Sequence, residues 1–334
     1  MNSGIADCLV RKGRERVAIN PRNGWIRAMT SHSPGRRGNQ FNFAAQARRQ
    51  AGSTFKTFVL ASAIENGIDP NAEGYVSSPF TWDDPNSVEP WEVSTYDGTA
   101  YGWSTIAQAT LRSDNTVYAQ LTLDLGASKV ASMARRLGVR DSPLCATCPS
   151  IGLGSASVSP LEMSAAYATI AAYGVYSKPR AIQRVEFPNG HVDRGVGRVK
   201  RQRALSEGVS WEVTQILEDN VTGGTGTGAY FGRPAAGKTG TTDNHADAWF
   251  CGYTPNLQAT VWVGHPSGQV PMLSVHGIAV AGGTFPASIW RRFMSVAEAN
   301  VPARSFRPPS EYPSYRSYDT GNYVYGGGSD SYGD

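Results

Sequence analysis

Apolar and polar positions alternate with different periods along the chain. Over 16–29, the apolar groups Val17-Ala18-Ile19 and Ile26 with Ala28-Met29 flank Pro21 and the Asn23-Gly24 turn signal, which predicts a β-hairpin. A polar stretch over 30–39, rich in Gly, Ser and Arg, predicts a loop. The apolar segment that begins near Phe55 predicts a helix ending at Asn66-Gly67, with Asp69-Pro70 beyond it. From 71 to 102 the chain turns to Pro, Asp, Gly and aromatics, irregular chain suited to lining a groove. Helical spacing returns over 104–111, 117–125, 127–137 and 160–173, where Ser159-Pro160-Leu161-Glu162 supplies a helix start with proline in the first turn. Strand character resumes over 181–187, with Pro188-Asn189-Gly190 as a turn and 191–193 as its return. It reappears over 235–241, 246–253 and 257–265. Helices are expected over 210–221 and 285–299, the last with Trp290, Phe293 and Met294 at core spacing. Strands, then helices, then strands and a closing helix predict an α+β fold. One antiparallel sheet is built from both chain ends, and a mostly helical subdomain is inserted between them.

The 334 residues suffice for one large domain or two modest ones. The expected division is an N-terminal remnant or linker over 1–13, a catalytic domain over 14–303, and a tail over 304–334 whose Pro, Ser, Tyr and Gly composition predicts disorder. A hydrophobic content of 40% with 17% charged residues describes a soluble globular protein. The formal net charge of +4 is only mildly basic, and the sequence holds no Lys/Arg cluster with interleaved aromatics, so no nucleic-acid partner is expected. No apolar run approaches the roughly 20 residues of a membrane span, and the first ten residues have no signal-peptide core. Cys145-x-x-Cys148 is half of a zinc pattern without a second pair at ligand spacing, so no metal is expected. Pro143 and Pro149 bracket it as a loop, which leaves a local disulfide and two inert thiols both open.

Candidate chemistry changes this picture at three places. The first is Gly52-Ser53-Thr54-Phe55-Lys56, at the head of a predicted helix. A serine hydroxyl is a poor nucleophile until a base takes its proton. In Ser53-x-x-Lys56 the two side chains stand one helical turn apart and project from one face. Lys56 can serve as that base only if burial or a second cation lowers its pKa; Phe55 and Phe58 offer an apolar wall and a later lysine offers the cation. Lysine is scarce: Lys12, Lys56, Lys129, Lys178, Lys200 and Lys238 are all of it, and only Lys56 follows a serine by three.

The second place is Ser113-Asp114-Asn115, between two predicted helices. In extended chain, side chains two apart point the same way, so Ser113 and Asn115 can face one cleft while Asp114 points elsewhere. A hydroxyl there can relay a proton, and an amide can hold Lys56 and a substrate carbonyl. The third is Gly237-Lys238-Thr239-Gly240-Thr241, on a predicted strand. Its glycines would let a peptide lie along the strand edge, Lys238 adds positive charge, and the threonine hydroxyls can bond a carboxylate. Gly232, Gly237, Lys238 and Thr239 also meet the spacing of a phosphate-binding P-loop, but the residues that follow do not read as a helix.

The three motifs in this order, with about sixty residues between the first two and about twice that before the third, resemble the transpeptidase domain of bifunctional (class A) penicillin-binding proteins, within the serine β-lactamase/transpeptidase-like superfamily. The resemblance covers roughly 14–299 and extends to Gln40-Phe41-Asn42, Leu153-Gly154, Pro160-Leu161-Glu162-Met163 with Tyr167, and Asp247-Ala248-Trp249-Phe250. It implies that Ser53 is acylated by the D-Ala-D-Ala bond of a peptidoglycan stem peptide, or by a β-lactam, and that Lys56 accepts its proton. It implies further that Ser113 passes a proton to the departing D-Ala and that Asn115 orients Lys56 and the acyl amide. Lys238, Thr239, Gly240 and Thr241 would hold the terminal carboxylate and the substrate strand, and the N–H groups of Ser53 and Thr241 would form the oxyanion hole. No cofactor is implied. Such domains work on the extracytoplasmic face of the bacterial membrane, and neither an anchor and export signal nor the family's glycosyltransferase domain is found in this sequence.

Other readings compete. A class A serine β-lactamase shares the trio but needs a Glu-x-x-Leu-Asn segment, which Glu162-Met163-Ser164-Ala165-Ala166 does not match. A Ser-His-Asp hydrolase could recruit His245 and Asp247, but no Gly-x-Ser-x-Gly elbow is present. A non-catalytic sensor of β-lactams or muropeptides is disfavoured by the intact Ser53, Lys56, Ser113 and Lys238.

Overall fold

A computed structural model describes residues 13–32, 40–83, 89–321 and 323–324. The hairpin strands β1 (Gly13–Ile19) and β2 (Ile26–His32) join β3 (Ala236–Thr241), β4 (Asp247–Tyr253) and β5 (Gln258–Gly264) in one antiparallel sheet of order β3-β4-β5-β1-β2. β1 pairs with β5 from Gly13 opposite Gly264 to Ile19 opposite Gln258, so the two ends of the chain share one ladder. All seven residues of β4 and of β5 are buried, as a sheet covered on both faces requires. Trp249, Cys251, Tyr253 and Trp262 enter the core shared with the helical block, while Ala248, Phe250, Val261 and Val263 alternate to the opposite face. There Trp290 and Met294 of the closing helix Phe285–Ala297 meet them, with the Phe250 and Trp290 rings 5.2 Å apart.

The inserted block consists of α1 (Lys56–Glu65), α2 (Ile106–Arg112), α3 (Asn115–Leu125), α4 (Ala127–Leu137) and α5 (Pro160–Ala171), followed by α6 (Glu207–Gly223) against β3. α1 buries every residue from Lys56 to Ile64 and is the axis of the block, which is why its sequence is apolar nearly all round. α5 starts with Pro160 and a reciprocal capping box between Ser159 and Glu162. The Glu162 carboxylate also accepts from Asp141 N, Ser142 N and Ser142 Oγ, and these bonds hold its pKa below the usual glutamate value against the opposing effect of burial.

Several expectations need correction, and the alternative left open for Cys145 and Cys148 is resolved. Thr30 to His32 belong to β2, and the remainder of the expected loop, 33–39, lies outside the described residues. The segment 71–102 holds two small ladders, Gly74–Ser77 with Gly102–Thr105 and Phe80–Trp82 with Trp91–Val93. Cys145 and Cys148 form a disulfide, with Cα atoms 5.5 Å apart, and Cys251 is a buried free thiol. The tail is not disordered from 304 onward. Phe306 packs edge-on against Tyr253 at 5.7 Å and Tyr312 against Trp211 at 5.2 Å; Arg316 N donates to Gly67 O, and Gly321 N and Tyr323 Oη donate to Asp124. Composition misled here because these aromatics are spaced to meet separate partners on the sheet and the helical block, a pattern with no period to read. Residues 1–12 and 325–334 lie outside the described residues.

Candidate active site

β3 is an edge strand, and its free side borders the cleft. Thr242 N donates to Asp247 O, so the backbone groups of Thr241 and Thr239 alternate away from β4 toward that free side. The turn Gly52–Phe55, a 3₁₀ turn leading directly into α1, approaches this edge so closely that side chains are excluded at the contact. Gly52 has φ +52°, and a Cβ on it would lie 2.8 Å from Thr241 O; a Cβ on Gly240 would lie 2.6 Å from Ala51 O. The glycine of Lys238-Thr239-Gly240 is therefore needed by the serine turn rather than by a ligand, which corrects the expectation from sequence. Gly154 closes the back of the turn with φ +85° and a Cβ position 2.0 Å from Gly52 O. Gly154→Ala is expected to cost about 2 kcal/mol or more, from backbone strain plus overpacking, and to slow any chemistry at Ser53. Thermal melts and β-lactam labelling rates of the variant would check this.

Ser113 is not in extended chain. It caps α2 in the left-handed region at φ 60°, Asp114 caps α3, and Asn115 is the first residue of that helix. The buried Asp114 carboxylate accepts from Thr116 N, Thr116 Oγ1, Val117 N and Ser77 Oγ, which pins the link between the two helices. With that link fixed, the Ser113 carbonyl and the Asn115 Oδ1 converge on Lys56 Nζ at 2.6 and 2.7 Å. Lys238 Nζ reaches the same residue from the opposite wall, 2.8 Å from Ser113 Oγ and 3.2 Å from Thr239 O.

Both lysines have zero solvent exposure. Burial lowers the Lys56 pKa well below its ordinary value, the Lys238 charge lowers it further, and Asp114 opposes them. Burial alone brings Lys238 down to about 7. A neutral amine has two N–H bonds, and at Lys56 the Ser113 carbonyl and Asn115 amide oxygens use both, so the nitrogen lone pair is left to accept a proton. Ser53, Ser113, Asn115, Thr239 and Thr241 line a single cleft of about 590 Å³. Lys56, Lys238 and Gly240 lie behind its walls, so Lys238 acts on the cleft through Ser113 and Thr239. The Ser53 hydroxyl makes no hydrogen bond among the described residues. The turn that bears it is held from below by Tyr167, whose hydroxyl bonds Thr54 O at 2.8 Å and Thr57 Oγ1 at 2.7 Å.

The competing centres do not assemble. Lys238 is followed by a short turn and another strand, without the helix a P-loop requires. Asp247 accepts from Trp262 Nε1, whereas His245 bonds Tyr96 and Val280, so no Ser-His-Asp relay forms. Tyr96, Thr225 and His245 line the cleft without belonging to any of the three motifs; the groove-lining character of 71–102 pointed to Tyr96 alone.

A buried lysine pair, a serine on a tight turn and an edge strand with outward amides define the site of a D,D-transpeptidase-like catalytic domain on a mixed α+β fold. Residues 16–269 match the family described as the penicillin binding protein transpeptidase domain, and the chain belongs to that family. It is 34% identical over 322 residues to penicillin-binding protein 1A of Mycobacterium tuberculosis, covering 90% of this chain and 38% of that protein. It is 29% identical over 306 residues to penicillin-binding protein 1A of Neisseria gonorrhoeae, covering 88% and 37%. The chain thus spans well under half the length of these relatives. The penicillin-binding protein PonA1 of Mycobacterium tuberculosis superposes with a TM-score of 0.80 at 31% identity, over 93% of this chain and 85% of that one, and its structure with penicillin V is also known.

Proposed function

We propose that this domain cross-links peptidoglycan stem peptides through an acyl-enzyme on Ser53, and that β-lactams acylate the same oxygen. The observation that carries the reading is the meeting of two buried lysine amines on Ser113, in the wall of the cleft that Ser53 lines. In the reaction, Ser53 Oγ attacks the carbonyl of the D-Ala-D-Ala bond while Lys56 accepts its proton. The N–H groups of Ser53 and Thr241 receive the oxyanion. Ser113, bonded to Lys238, passes a proton to the departing D-Ala nitrogen, and an acceptor amine then attacks the ester and restores Ser53. Thr239 and Thr241, on the free edge of β3, hold the substrate strand and its carboxylate, with Lys238 supplying positive potential from behind. Hydrolytic release of the acyl group, as in a β-lactamase, would need a base for water; Glu162 is committed to capping α5 and holding 141–142. No described helix is long and apolar enough to cross a membrane. The reading places the domain at the outer face of the bacterial membrane.

Intact-mass spectrometry after exposure to penicillin V tests the proposal. A single adduct on Ser53 that persists for many minutes is expected. Rapid turnover with release of penicilloate would replace the reading with a β-lactamase, and no adduct at all would leave a binding domain without acylation chemistry.

A further inference from the structure

The stretch from Lys178 to Arg203 holds eight basic residues and two acids, Glu186 and Asp193. Its surplus exceeds the +4 of the whole chain, so the remaining residues are slightly acidic and the positive charge is gathered in one place. Folding adds to it. The strand Arg201–Arg203 pairs with Val175–Ser177 just after α5, and Arg180 joins the β1–β2 turn, where Ile26 N donates to Arg180 O and Arg180 N to Gly24 O, both at 3.0 Å. Two cationic cavities open here. Arg22, Arg201, Arg304 and Arg307, with Tyr173 and Pro255, line one of about 490 Å³; Lys178, Arg180, Arg198 and Lys200, with Ile182 and Val196, line another of about 470 Å³. Consecutive residues, Lys200 and Arg201, thus serve one cavity each. Tyr253 stands opposite Ala236 and Gln258, and Gln258 opposite Ile19, which puts Pro255 and the β1–β2 turn at the Ala236 end of β3, away from Thr241. Neither cavity shares a lining residue with the Ser53 cleft.

Several of these arginines are held in position. Arg201 donates to Arg22 O, Arg203 donates to Tyr173 O at 2.6 Å, and Arg180 and Arg307 lie over the rings of Trp25 and Tyr173 at 4.2 and 4.8 Å. A guanidinium has five N–H donors, so these contacts leave others free to face the cavities. The acids nearby are already engaged: Glu207 pairs with Arg307 at 2.7 Å, Glu186 with Arg184, and Asp193 accepts from Gly195 N. Among the described residues, Arg22, Arg198, Arg304, Lys178 and Lys200 form no ion pair. Helix capping accounts for Arg203, which reaches the end of α5, and not for the rest. Four guanidiniums around one cavity repel one another unless an anion is shared between them. We propose that this face binds a phosphodiester-linked anionic polymer. A tetrahedral phosphate accepts from guanidiniums arriving in different planes, whereas one fork satisfies a planar carboxylate. Two cavities served by consecutive residues suit a repeating charge, and the exposed Ile182 and Val196 give the second an apolar wall for uncharged spacer units. Set in a cavity wall, those two side chains meet a flat bilayer surface poorly. Phe187, the one Phe, Tyr or Trp between Lys178 and Arg203, lies against His191, so the face lacks the stacking platforms of a nucleic-acid site.

Anisotropy of fluorescently labelled poly(glycerol phosphate) mixed with the full chain would measure the binding, independently of any chemistry at Ser53. Affinity is expected to fall about tenfold or more between about 50 and 200 mM salt, as counterion release from a few phosphates requires. Arg22→Ser combined with Arg304→Ser should weaken binding about tenfold and flatten its salt dependence, and Lys178→Ser combined with Lys200→Ser should do the same. Thermal melts and penicillin V labelling of Ser53 should match the wild type in both. Arg291→Ser combined with Arg292→Ser removes the same charge from the closing helix and should leave binding unchanged. Absence of binding to the polymer overturns the inference, and so does tighter binding to phosphatidylglycerol vesicles, which would make the face a membrane contact. Full binding in both cavity variants, or equal losses in all three pairs, overturns the assignment of the site to these cavities.

Discussion

Ser53→Ala is expected to remove all covalent labelling by a fluorescent penicillin while leaving the fold intact. The expectation has two independent parts. Chemically, the proposed function makes Ser53 Oγ the attacking oxygen, on the turn that meets Thr241 at the head of the helix bearing Lys56. Ser113 lines the same cleft, but its Oγ already accepts from Lys238. Structurally, the Ser53 hydroxyl makes no hydrogen bond among the described residues, and the turn is held by Tyr167 and by the glycine contacts behind it. Removing one oxygen should therefore move stability by no more than about 0.5 kcal/mol. Gel fluorescence paired with a thermal melt separates the parts. Undiminished labelling would refute the nucleophile, and loss of labelling with loss of the melt would leave it unproved until a Ser53→Cys variant is assayed.

Lys56→Met is expected to slow acylation by about 10²–10⁴-fold, the range over which a positioned general base contributes. It should also alter how stability depends on pH. Lys238 titrates at about 7 in the folded chain against an ordinary 10.5, and Lys56 is likewise held below 10.5. Between those limits the unfolded chain binds more protons than the folded one. Stability from these groups is thus fully present above about 10.5 and is lost as pH falls through the folded values. Replacing Lys56 removes its share, so the melting temperature of the variant should rise less steeply from pH 7 to 10 than that of the wild type. Parallel curves would show that Lys56 does not lose its proton on folding. Acylation that is unchanged in the variant would transfer the base to another group.

Much of the scaffold was legible because it follows period. β4 and β5 read as strands from their apolar runs, and α4, α5 and the closing helix from theirs. The pairing of the first strand with the last was inferred from element order, with no pattern in either strand announcing the other. The motif residues were legible as a set, and the structure brings Ser53, Ser113, Asn115, Thr239 and Thr241 to one cleft with both lysines beneath it. The reasons were less legible than the residues. Ser113 and Asn115 converge through a left-handed cap and a helix start, a geometry that three polar residues in a row do not disclose. The glycine after Thr239 looked like room for a ligand and proved to be room for the serine turn, since a close approach between distant segments leaves no trace in either. The extension beyond 303 was misread because Phe306, Tyr312 and Tyr323 each dock singly, on partners that only the folded sheet and helices present.

A sheet assembled from both termini also sets a schedule. As the chain leaves the ribosome, β1 and β2 emerge with no third strand to pair with, and the serine turn is made long before the strand that it must touch. The helical block can pack in the interval around α1, but Lys56 has only Ser113 and Asn115 for company until Lys238 arrives. On the proposed function, Ser53 therefore stays unarmed through most of synthesis, and its reactivity is acquired only when the final strands close the ladder.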